Sequence, residues 1–176
     1  MIWTTLERLA IPGLALLLSA CGGSSETTPI PSAPVIANPP ATCGIGNTLA
    51  EKLVGVWKRA CYESGGSWET DIYVFRNDGS HTSIVTYYNG PNCTGDALPV
   101  TNEGTYVLGN EITTTSGITA TELDIEIVPL AGGGTNTAYD IVYIDDTSTL
   151  YMADYPAFAA DFRPTTLDFT KPLRCQ

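Results

Sequence analysis

From Leu53 to Thr170 the chain reads as short runs rich in Thr, Tyr, Ile and Val, separated by turn residues, and this spacing constrains the fold more than any other feature. The runs predict strands at 53–62, 68–76, 80–88, 104–108, 111–115, 118–128, 138–144, 148–153 and 165–170. Asn77-Asp78-Gly79, Gly109-Asn110 and Asp145-Asp146 stand between neighbouring runs, where residues that tolerate positive φ close hairpins. Over 118–128, Leu123, Ile125 and Ile127 alternate with Glu122, Asp124 and Glu126, giving one apolar and one acidic face. The stretches 88–99 and 129–136, the second with Gly132-Gly133-Gly134, read as loops, and 155–164 reads as irregular. Only 47–53 suggests a helix, capped by Asn47 or Thr48 with Glu51 in its first turn. Nine local runs with almost no helix imply an all-β, antiparallel up-and-down β-barrel with a short N-terminal helical turn, because closure removes the exposed edges of an open sheet. A two-sheet sandwich is the alternative.

The N-terminus carries a different kind of signal. Arg8 precedes an apolar run, Leu9 to Leu18, that is shorter than the roughly 20 residues a spanning helix needs and matches a signal-peptide core. Leu18-Ser19-Ala20-Cys21 resembles the bacterial lipobox, which implies cleavage before Cys21 and acylation of its thiol. Gly22 stands where an Asp would signal retention at the inner membrane, so the resemblance points to the outer membrane. The next stretch, to Ala41, holds five of the 12 prolines and no aromatic residue. It cannot bury enough apolar surface to order itself and is expected to be a tether, reaching roughly 60 Å if extended as polyproline II. The organisation is thus a signal peptide at 1–20, a lipid-anchored tether at 21–41 and a barrel domain at 42–176.

Beyond Cys21, the cysteines are Cys43, Cys61, Cys93 and Cys175, and four cysteines allow three pairings. Their positions rank Cys43–Cys175 with Cys61–Cys93 first, because Cys43 opens the domain and Cys175 nearly ends it. A metal site is not expected, since the spacings contain no CxxC and His81 is the only histidine. Eight Lys and Arg against 19 Asp and Glu leave a net charge of −11, which argues against nucleic acid, whose binding needs clustered cations.

Leu53-Val54-Gly55-Val56-Trp57-Lys58 resembles the LxGxW opening of lipocalin-like domains, in which a helical turn precedes a strand whose Trp plugs one barrel end. Residues 73–80, YVFRNDGS, are similar to the second strand and its hairpin in that family. Gly104-Thr105-Tyr106-Val107 with Glu111-Ile112-Thr113, and the late run 139–154, YDIVYIDDTSTLYMAD, follow in the family's order over about 47–170. The close, RPTTLDFTKPLRC, departs from the family ending, as do the extra cysteines. The resemblance implies a barrel, and in some members an internal cavity for an apolar small molecule.

Candidate site residues follow from both readings. Trp57, Tyr73, Phe75, Tyr87, Tyr139 and Tyr143 occupy mid-strand positions, and if their faces point inward they line an amphipathic pocket. His81, just past a hairpin turn and without a partner base, reads as a surface or rim residue. Asp145-Asp146 read as a turn. Glu122, Asp124 and Glu126 offer a weak Ca²⁺ site on paper, but their apolar alternates favour a solvated outer face. With no GxSxG elbow, no paired nucleophile and base, and a triple Gly that no Lys-Ser/Thr follows, neither an enzyme nor a cofactor is expected. The expected partners are a membrane through the N-terminal lipid, an apolar or amphipathic small molecule, or an envelope protein that meets the acidic exterior or the loops at 88–99 and 129–136.

Overall fold

A computed structural model describes residues 43–129 and 134–176. The expected signal peptide, the lipid attachment at Cys21, the tether and most of the triple-Gly loop lie outside the described residues. One short helix, α1 (Leu49–Leu53), begins at Thr48, whose hydroxyl accepts from the Glu51 amide while the Glu51 carboxylate accepts from the Thr48 amide. This reciprocal cap satisfies donors that a five-residue helix cannot satisfy itself.

Eight strands follow among the described residues: β1 (Gly55–Ser64), β2 (Ser67–Phe75), β3 (Ser80–Gly90), β4 (Thr94–Thr113), β5 (Thr119–Pro129), β6 (Asn136–Ile144), β7 (Thr149–Met152) and β8 (Leu173–Cys175). Each pairs antiparallel with the next and β8 returns to β1, closing an up-and-down barrel. The helix covers one end. Leu53 and Trp57 are fully buried there, and the Trp57 indole N–H donates to the Leu53 carbonyl at 2.7 Å.

Two runs read as separate strands are one. β4 continues through Gly109-Asn110, and its pairing with β5 shifts between Leu108 and Glu111. A two-residue hairpin of the favoured types needs positive φ, and neither Gly109 nor Asn110 adopts it. Instead the Asn110 amide donates to Glu122 of the neighbouring strand at 3.1 Å, and the pair forms a bulge. The expected loop at 88–99 is mostly strand as well: β3 and β4 form a long hairpin that turns at Pro91-Asn92-Cys93, where Asn92 and Cys93 both take positive φ. The barrel therefore has eight strands in place of nine.

The run at 165–170 is not the closing strand. After β7 the chain crosses the outside of the barrel as an irregular strap, 153–172, with one 3₁₀ turn at Ala160–Phe162, and only then forms β8. Leu167 and Ala153 of the strap pack with Ala120 of β5 and Ile141 of β6, while Phe169 meets Tyr151 at 4.9 Å between ring centroids. Arg163 donates to the Asp140 carbonyl at 2.8 Å and to the Asp124 carboxylate, and lies 3.5 Å from Glu122. The acidic face of β5 is thus partly neutralised by the strap, in place of the fully solvated face expected.

Disulfides join Cys43 to Cys175 and Cys61 to Cys93, with Cα atoms 5.7 and 5.8 Å apart. The first ties the segment before α1 to β8, and the second ties the end of β1 to the tip of the β3–β4 hairpin. Their sequence separations are 132 and 32, so loop-closure entropy assigns about 5 kcal/mol to the first and about 4 kcal/mol to the second. In urea denaturation of the full chain, Cys43→Ser/Cys175→Ser should lose more stability than Cys61→Ser/Cys93→Ser. The reverse order would contradict a closure held at the termini.

Candidate functional site

Alternate residues of each strand face inward, and their character changes along the barrel axis. Around the helix-covered end, Trp57, Phe75, Leu123, Val142, Leu150 and Leu173 are all fully buried and fill the interior. Two residues further along β1 and β2 the inward positions turn polar: Arg59 follows Trp57, and Asp71 precedes Tyr73. A cavity of about 170 Å³ opens in this half. Its polar wall is Arg59, Tyr73, His81, Ser83, Asn102, Asp140 and Asp154. The apolar wall includes Val85, Ile125, Ile127, Ala138 and Met152.

The polar side chains divide into satisfied and unsatisfied groups. Arg59 Nη1 donates to Asp71 Oδ2 at 2.7 Å, and its Nε donates to the Lys171 carbonyl of the strap at 3.0 Å. The Tyr62 hydroxyl stands 3.0 Å from both Asp71 Oδ2 and Glu69 Oε2, with its ring beneath the Arg59 guanidinium at 5.3 Å. Burial pushes the Asp71 carboxyl up, against the opposing pull of Arg59. Asp71 Oδ1 is buried without a partner. Breaking such a pair by removing one member typically costs 3–5 kcal/mol, about what an uncompensated buried charge demands.

His81 is 3% exposed, in place of the surface or rim position expected. Its ring packs against Phe75 and Tyr73 at centroid distances of 5.0 and 5.9 Å, and its Nε2 is buried with no hydrogen-bond partner. Burial, reinforced by the charge of Arg76, lowers its pKa to about 4, so the ring is neutral at pH 7. Asp140 on β6 is 2% exposed. Burial raises its pKa to about 6, opposed by the amides of Ile141 and Ala153, which both donate to Oδ1 at 2.7 and 3.0 Å.

The six aromatic residues proposed from sequence do not form one site. Trp57, Tyr73 and Phe75 face inward, but Trp57 and Phe75 belong to the filled end and only Tyr73 lines the cavity. Tyr87 is 39% exposed and borders a surface depression with Tyr88 and Leu98. Tyr139 and Tyr143 point outward: Tyr139 lies under the Arg163 guanidinium at 5.2 Å, and Tyr143 stacks on Tyr151. The inward positions of β6 are Ala138, Asp140 and Val142, and the strap buries the outer face, so both faces of this strand carry apolar residues. Arg59, His81 and Asp140 are the cavity groups that sequence reasoning missed. Stepping by two from Trp57 reaches Arg59, and the register across the β2–β3 hairpin sets His81 opposite Phe75.

A wider, open groove of about 510 Å³ lies within the strap, between Tyr155 and Leu167, and its Lys171 is already paired with Asp154 and Asp168. Among the described residues no three His, Cys, Asp or Glu side chains converge as a metal-ligand group, and no helix is long and apolar enough to cross a membrane. No protein-family model matches the chain, and no curated protein matches it. The barrel, the cavity and its polar groups are therefore what carries a functional reading.

The two perturbed groups have opposite effects on stability. Neutral burial of His81 contributes fully above its ordinary pKa of 6.5, and that contribution is lost as the pH falls to about 4. Asp140 keeps its proton longer in the fold than in the open chain, so its contribution is complete below 3.8 and lost as the pH rises through about 6. Relative to the parent, His81→Phe should gain stability from pH 7 to 4 and Asp140→Asn should gain it from pH 4 to 7, each by up to about 3 kcal/mol. Urea titrations at a series of pH values check this. Parallel stability curves for parent and variants would contradict the burial of these groups.

Proposed function

We propose that this protein is a lipoprotein of a Gram-negative envelope, anchored through Cys21 to the outer membrane, whose lipocalin-like barrel holds a small amphipathic molecule. The observation that carries the binding reading is the cavity itself: an apolar wall of Ile125, Ile127 and Met152 faces a polar wall in which His81 Nε2 has no partner. A buried polar atom left unpaired costs about 1–3 kcal/mol, and a bound group that hydrogen-bonds it recovers that loss. At about 170 Å³ the cavity is smaller than the roughly 300–1,000 Å³ of drug-sized sites, so the ligand is small. The lipobox resemblance and the proline-rich segment after it support the anchoring.

The second reading is a protein-interaction module. The exposure of Phe158 and Phe162 on the strap, 71% and 79%, favours it, and moves the contact surface from the loops at 88–99 and 129–136 to the strap. One experiment separates the readings. The full chain is expressed in a Gram-negative host, extracted from membranes in mild detergent and examined by native mass spectrometry before and after collisional activation. The proposal predicts an acylated N-terminal Cys21 and a noncovalent small-molecule adduct that activation removes. Unmodified Cys21 would refute the anchor. An adduct-free chain, or one recovered with a second protein in its place, would refute the ligand reading.

A further inference from the structure

The charges around the cavity are paired with one exception. Arg59 is committed to Asp71 at 2.7 Å and to the Lys171 carbonyl. Arg163, which approaches Asp140 from the strap, gives its side-chain charge to Asp124 and Glu122 and meets Asp140 only at the backbone carbonyl. Lys171 holds Asp154, the other carboxylate in the cavity wall, together with Asp168. His81 is neutral. Asp140 alone among these carboxylates makes no salt bridge: Arg59 and Arg163 act on its charge only from beyond contact, and both of its hydrogen bonds are to backbone amides and fall on Oδ1. It is nevertheless 2% exposed and lines the cavity. In the same wall, His81 Nε2 is a buried polar atom without a partner, and the neutral ring can present it as an acceptor.

A cavity built this way has a carboxylate with no cation in direct contact and a free acceptor, and the hydrogen bonds of its nearest cations are given to other groups. An anionic ligand would add like charge beside Asp140, whereas an N–H-bearing cation would supply the missing partner. We infer that the cavity selects a small organic cation, a primary ammonium paired with the Asp140 carboxylate, with its short apolar body along Ile125, Ile127 and Val85. This rests on the cavity being a ligand site. His81 Nε2 takes a second N–H or O–H donor where the ligand carries one.

The chain contains two methionines, Met1 and Met152, and Met152 is in the cavity wall. Labelling the full chain with ¹³C-methyl methionine therefore places one NMR reporter beside the bound molecule. In detergent solution, n-pentylamine, 1-pentanol and pentanoate share one apolar body and differ in head group. The inference predicts that pentylamine moves the Met152 methyl signal with half-saturation at a concentration about tenfold below that for pentanol, with pentanoate weakest. Asp140→Asn should abolish the preference for the amine while pentanol still binds. Equal binding of pentylamine and pentanol by the parent chain, or a preference for pentanoate, would overturn the cation while leaving the cavity a ligand site. No movement with any of the three would overturn both. The comparison of head groups on the parent chain does not depend on the variant folding.

Discussion

Closure of the barrel rests on a strand of three residues. β8 pairs with β1 through Trp57, Lys58 and Arg59 and with β7 through Thr149 and Leu150, a shorter seam than any between the first six strands. Three residues of ladder on their own give little cooperativity, but here other contacts converge on them. Leu173 is fully buried beside the Trp57 cluster, Arg174 reaches Thr149, and Cys175 is bonded to Cys43. The disulfide joins the chain before the first strand to the last one. The strand ladder runs round the interior without a gap only because this seam is shut.

The strap that precedes β8 explains why the polar half of the interior can be tolerated. Its Lys171 carbonyl accepts from Arg59, so the inward-facing guanidinium is satisfied from outside the strand ladder, and its Ala153 amide donates to Asp140. Its Arg163 covers Tyr139 and takes up two carboxylates of β5. One irregular segment thus serves the core, by laying Leu167 over Ala120 and Ile141, and the cavity, by meeting the polar groups that the strands alone leave open. The filled end and the cavity end differ because residues two apart on the same strands change from Trp57 and Phe75 to Arg59, Tyr73 and Asp71.

Much of this was legible in local sequence. The helix cap at Thr48, the Asn77-Asp78-Gly79 turn, where Asp78 accepts from the Ser80 amide and Gly79 has φ 80°, and both cysteine pairs follow from short-range chemistry and chain position. What was not legible depended on distant partners. Gly109-Asn110 became a bulge because Glu122 on the next strand accepts from the Asn110 amide, which the pair itself does not encode. Residues 165–170 have strand composition but lie on the outer face, since Leu173 rather than Leu167 reaches the interior. Tyr139 and Tyr143 misled for a related reason: period-two alternation identifies two faces, and covering the outer one removes the polarity that would distinguish them.

The most direct test of the account is amide hydrogen exchange at β8 in the oxidised full chain. Gln176 donates its amide to Val56 at 3.0 Å, and Leu173 and Cys175 sit opposite Arg59 and Trp57. A closed barrel predicts that the amides from Leu173 to Gln176 that face β1 exchange as slowly as their partners on β1. Exchange at the rate of an unstructured peptide there, with β2 to β5 still protected, would show an open sheet and contradict the barrel cavity on which the functional reading depends.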